Sequence, residues 1–187
     1  MAERLYQLQF GENFKPAIAQ DVTPEGFKGL HFVGRRREYE PYSGAPGRFV
    51  REVRERVQVT MPAAAAQYLM ENIYTPFEAF DQEELWVLLL NTKNWLTHEA
   101  MVYRGTINTV QVREAELLKA AVRVNAPVFI LSHNHPSGDP NPSPEDVQVT
   151  ARANQAAGLL GLELLDHIIV GKDRWVSLKE RGLGFEK

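Results

Sequence analysis

From Glu84 to Thr92 the chain reads "ELWVLLLNT", a continuous apolar run of strand length, which predicts a strand buried on both faces. "PVFILS" (Pro127–Ser132) has the same character and reads as a second central strand. Between them, "VREAELLKAAVRVNA" (Val112–Ala126) carries apolar residues at helical spacing. Upstream, "RVQVTM" (Arg56–Met61) alternates apolar and polar positions as a short strand. "PAAAAQYLMENIY" follows as a helix with proline in its first turn, ending near "TPF". A further strand, "HEAMVYRG", is expected after a turn at "KNWLT". Downstream, "SPEDVQVTARANQAAGLLG" predicts a helix stopped by glycines, and "LELLDHIIVGKDRWVSLKE" a hairpin turning at "GKDR". Strands and helices alternate irregularly, so the expected class is α/β, a mixed β-sheet flanked by helices.

Residues 1–55 break this pattern. They hold few long apolar runs, many turn residues and the basic cluster "GRRREYEPYSGAPGRFVREVRER" from Gly34 to Arg56, and they predict an N-terminal extension or small β-rich subdomain ahead of a principal domain at 56–187. The 187 residues, 44% hydrophobic, suffice for one real core. The N-terminus lacks a long apolar signal core, and nothing approaches the roughly 18 uninterrupted apolar residues of a membrane span, so a cytoplasmic protein without a membrane partner is expected. With no cysteine, disulfides and cysteine zinc fingers are excluded, and a metal site must draw on His, Asp or Glu. The formal net charge of −3 gives no global attraction to nucleic acid.

The densest chemistry lies in "SHNHPSGDPNPSPED", Ser132 to Asp146. His133 and His135 are two apart where the chain leaves a strand, so in extended backbone both side chains project to one side and one cation can take a nitrogen from each. Prolines at 136, 140, 142 and 144 stiffen the connection to Asp146, and Gly138 allows a bend. "Ser-Pro-Glu-Asp" is also a good helix start, with Ser143 as N-cap and acidic residues in the first turn. The two readings are compatible: an aspartate on the first turn of a helix can face back toward the histidines as a third ligand.

The spacing His133, His135, Ser143, Asp146 resembles the JAMM motif of the JAB/MPN metalloprotease superfamily. The surrounding "LLLNTKN", "GTINTVQVREAELLKAAVRVNAPVFILSHNHPSGDPNPSPEDVQVT" and "LLDHIIVG" resemble its RadC branch, over roughly Arg56 to Glu180. The resemblance implies the JAB/MPN (cytidine-deaminase-like) architecture and a Zn2+ hydrolase in which His133, His135 and Asp146 bind metal. A general base from an earlier strand edge is also implied. Glu83 is the favoured candidate and Glu84 the alternative, since adjacent strand residues point opposite ways. Ser143 takes the superfamily role of donating to the oxyanion. Asp166 and His167 are either groups that orient a ligand imidazole or a buried structural pair. His31 and His98 fall outside every motif and are expected to be exposed. Residues 1–55 show no trace of the helix-hairpin-helix segment that RadC proteins often carry.

Three functions compete. The first is zinc-dependent cleavage of a peptide or isopeptide bond in a peptide or protein substrate. The second is a nucleic-acid-associated module, a DNA-binding or DNA-repair accessory using Arg35, Arg36 and Arg37 with interleaved aromatics, although Glu38, Glu40, Glu52 and Glu55 dilute that charge. The third is a non-catalytic MPN scaffold, disfavoured because every ligand position is intact. A zinc nucleobase deaminase is excluded, because its cysteine ligands do not exist here.

Overall fold

The computed structural model describes residues 50–54, 56–105 and 112–185. Its centre is a six-stranded mixed sheet in the order β1-β3-β2-β4-β5-β6, comprising β1 (Val50–Glu52), β2 (Glu83–Leu90), β3 (Leu96–Gly105), β4 (Val128–Asn134), β5 (Glu163–Gly171) and β6 (Arg174–Ser177). β4 and β5 run parallel, and the other neighbours are antiparallel. Helix α1 (Pro62–Tyr68) covers one face of the sheet, and α2 (Glu114–Val124) and α3 (Pro144–Leu159) the other. The mixed α/β sheet flanked by helices is the expected class.

Alternation along the central strands divides the core. Trp86, Leu88 and Leu90 of β2 pack with Ala65, Ala66 and Leu69 on the α1 face. Leu85, Val87 and Leu89 pack with Leu117, Ala121 and Ala153 on the face of α2 and α3. Both faces of β2 and β4 are therefore dry, which explains their continuous apolar runs.

Several boundaries differ from expectation. "RVQVTM" forms only a single bridge, Gln58 to Trp95, instead of a strand. β3 begins earlier, at Leu96, because the Thr92–Asn94 turn is tight and Asn94 adopts φ 57°. The helix from Pro62 converts after Tyr68 into a π-helical turn, Leu69–Ile73. α3 runs through Gly158 and is stopped at Gly161, whose φ of 68° suits glycine at a helix C-terminus. The sheet also gains a strand inside the basic cluster. β1 pairs with β3, and Arg51 forms an ion pair with Glu99, a fully buried carboxylate that also accepts from the Tyr68 hydroxyl. Among the described residues, no helix is long and apolar enough to cross a membrane.

Candidate metal centre

The loop that leaves β4 is held against the β5–β6 hairpin by backbone bonds. His135 N–H donates to the Val170 carbonyl at 2.9 Å, Gly138 N–H to the His135 carbonyl at 2.8 Å, and Lys172 N–H to the Gly138 carbonyl at 3.0 Å. Contact is close enough that a Cβ on Gly171 would lie 2.4 Å from the Gly138 oxygen and 2.7 Å from Pro140 Cδ. Past the prolines, Ser143 caps α3 in a capping box. Its Oγ accepts from Asp146 N–H at 3.1 Å, while Ser143 N–H and the Ser143 hydroxyl each donate to Asp146 Oδ2 at 2.7 Å. Asp146 is thereby fixed on the first turn, facing β4.

Three side chains with ligand-type atoms meet there. His133 Nε2 lies 3.0 Å from His135 Nε2 and 3.1 Å from Asp146 Oδ1, and His135 Nε2 lies 3.5 Å from Asp146 Oδ2. Tetrahedral zinc with bonds of about 2.0–2.1 Å separates its ligand atoms by about 3.3 Å, so these separations fit that ion. His135 Nδ1 lies 2.7 Å from the Asp139 carbonyl, which can only accept, so Nδ1 carries a proton and Nε2 is the nitrogen turned toward His133 and Asp146. Charge tells the same story. Burial alone would raise the Asp146 carboxyl, but hydrogen bonds with both histidines, the His133 charge and the Ser143 hydroxyl outweigh it and hold the group well below the ordinary carboxylate range. Burial alone would lower His135, yet hydrogen bonds to Asp146 and the Asp139 carbonyl, with the charges of Asp146 and Glu83, raise it. The trio stabilises positive charge at its centre.

Of the two candidate bases, the sheet separates the faces. Leu85 pairs with His133 across β2 and β4, so Glu83, two residues before Leu85, shares the face of His133. Glu84 lies on the α1 face, 5% exposed, accepting from Trp86 Nε1 at 3.1 Å and pairing with Arg104 Nε at 3.5 Å. The two residues noted in "LLDHIIVG" also part company. His167 Nε2 meets His133 Nδ1 at 2.9 Å, and its Nδ1 meets Thr150 Oγ1 at 2.6 Å. Burial pushes His167 well below the ordinary imidazole range, so it is neutral. Asp166 points to the other face, accepting from the Ser177 hydroxyl, its neighbour's N–H and Lys179 N–H, and burial raises its pKa.

His98 is half-buried instead of exposed, with Nδ1 3.1 Å from Thr97 Oγ1, because β3 extends through it. Arg35, Arg36, Arg37 and His31 lie outside the described residues. Two site residues escape sequence reasoning. Asn134 accepts from Glu84 N–H at 2.7 Å and donates to the Gln82 carbonyl at 3.2 Å, clamping the start of β2 beside the histidines. Its position between two histidines on a buried strand was the available signal. Thr150 gave none, as a threonine inside a helix is ordinary.

A family model described as "RadC-like JAB domain" matches residues 59–183. The chain is 44% identical over 134 residues to a UPF0758 protein of Chloroflexus aurantiacus, covering 72% of this chain and 57% of that protein. It is 44% identical over 133 residues to one of Roseiflexus castenholzii, covering 71% and 55%. A UPF0758 protein of Bacillus licheniformis is 36% identical over 168 residues, covering 88% and 73%. The chain thus spans a little over half the length of the first two relatives.

Proposed function

The chain belongs to the family of RadC-like JAB domains, and from that premise we propose that it is a zinc-dependent hydrolase cleaving peptide or isopeptide bonds. The observation that carries this reading is the convergence of His133 Nε2, His135 Nε2 and the Asp146 carboxylate at separations suited to tetrahedral zinc. Two neutral imidazoles and one carboxylate form a typical catalytic zinc set with one position open. Zinc held there supplies a Lewis acid for a scissile carbonyl and a water acidified toward neutral pH.

The protein's own groups do the rest. Glu83, on the His133 face and close enough for its charge to act on His135, accepts the proton of the attacking water and returns it to the leaving amine. Ser143 donates to the oxyanion, exchanging its bond to Asp146 Oδ2 for one to substrate, since the hydroxyl has a single proton. Asn134 keeps Glu83 in place by holding its chain neighbours Gln82 and Glu84.

Metal analysis of protein purified without added zinc tests the assignment, paired with a panel of peptide and isopeptide substrates run with and without chelator. The expected result is near-stoichiometric zinc in the wild type, its loss in His133→Ala, His135→Ala and Asp146→Ala, and chelator-sensitive amide hydrolysis. Full zinc in all three variants, or hydrolysis indifferent to chelator, overturns it.

A further inference from the structure

A single hydroxyl proton sets the state of two imidazoles. Thr150 Oγ1 lies 2.6 Å from the Asp146 carbonyl, one helical turn back along α3, and 2.6 Å from His167 Nδ1. A carbonyl oxygen can only accept, so the Thr150 proton goes to Asp146 and its oxygen must accept from His167 Nδ1–H. The His167 ring meets a hydroxyl and an imidazole instead of a carboxylate, and at 1% exposure it is a neutral ring with one N–H. With that proton on Nδ1, His167 Nε2 is bare and accepts from His133 Nδ1 at 2.9 Å. His133 therefore carries a proton on Nδ1, which leaves Nε2, the nitrogen turned to Asp146 and His135, as its ligand atom.

We infer that Thr150 and His167 form a relay that locks His133 in the tautomer able to bind metal, making Thr150 a positioning residue two hydrogen bonds removed from the His133 ring. The inference rests on the metal reading above. Were the Thr150 proton turned to His167 instead, each later proton would shift in step, and His133 would present an N–H where a lone pair is needed. The relay is sealed: Thr150 and His133 are fully buried, and Gly184 packs so tightly on Thr150 that a Cβ there would lie 2.8 Å from Thr150 Cβ.

Thr150→Val removes the hydroxyl and keeps the shape, while Thr150→Ser keeps the hydroxyl. In the full chain, zinc affinity measured against a competing chelator should fall ~10–100-fold in Thr150→Val and stay near wild type in Thr150→Ser. Long-range proton–nitrogen correlation spectra of the metal-free wild type should show a proton on Nδ1 of both His133 and His167, and in Thr150→Val the His133 Nδ1 signal should move. Thr150→Val that binds zinc as tightly as wild type, or a wild-type His133 with no proton on Nδ1, overturns the relay. A purely structural role for Thr150 would lower the melting temperature without moving the His133 signal. If Thr150→Val does not fold, the wild-type spectrum alone decides. A wild type that takes up no zinc overturns the metal reading instead, and the metal-free spectrum still decides the relay.

Discussion

Glu83 and Glu84 are chemically identical neighbours in opposite surroundings, one on the histidine face of β2 and one buried among Trp86, Arg104 and the α1 face. Glu83→Gln should keep its zinc and lose ~10²–10⁴-fold in hydrolysis, the usual worth of a placed general base. Glu84→Ala should hydrolyse normally but unfold more easily by about 1–3 kcal/mol, because Trp86 N–H and Arg104 lose a buried acceptor; denaturant titration beside the activity assay separates the two. Equal activity losses would show that the faces are not distinct. The candidate ligand residues were legible as spacing, since two histidines in extended chain and an aspartate at a helix start need no tertiary knowledge. Which glutamate faces them was legible only as a preference for Glu83 over Glu84, because strand parity has meaning only once helices pack on a known side. Thr150 was illegible because its partner His167 lies on β5, and only the fold brings them together.

At the scale of elements, two contacts shape the loop: the α3 cap and the glycine under the hairpin. Ser143→Ala removes a cap whose typical worth is about 1 kcal/mol, so the melting temperature should drop even in metal-free protein, while zinc binding persists because His133, His135 and Asp146 are all retained. Gly171→Ala should be worse for the site than for the fold. Its new methyl must displace the Gly138–Pro140 segment, which moves His135 relative to His133, so zinc affinity should fall while cooperative unfolding survives. Unaltered zinc affinity would mean the hairpin does not fix the loop. The buried strands and amphipathic α2 were readable because length and periodicity encode them locally. β1 was not readable: a three-residue edge strand, Val50–Glu52, inside a charged run carries almost no pattern, and it is held by Arg51 reaching a buried glutamate far along the chain.

The whole molecule couples folding to pH through the same groups. His167 has a folded pKa below its unfolded value of about 6.5, so the stability it contributes is present above that pH and lost as pH falls beneath it. His135 is raised, so its contribution is full below about 6.5 and lost as pH rises through the folded value. Metal-free protein should therefore lose stability below about pH 6.5 at up to ~1.4 kcal/mol per pH unit from His167, a slope that His167→Gln should flatten in urea titrations. The mixed α/β class was legible from alternating elements, whereas the strand order was not, because pairing partners are set by packing at long range. That order divides the labour. The three ligands and His167 all ride on the contiguous stretch β4, α3 and β5, while Glu83 rides on β2, joined to it by a separate antiparallel seam. Fraying confined to the start of β2, which Asn134 holds, would displace Glu83 and leave the three candidate ligands in place, so a molecule could be fully metallated and inert, and hydrogen exchange at the Glu83 and Glu84 amides would report a loss that zinc content does not.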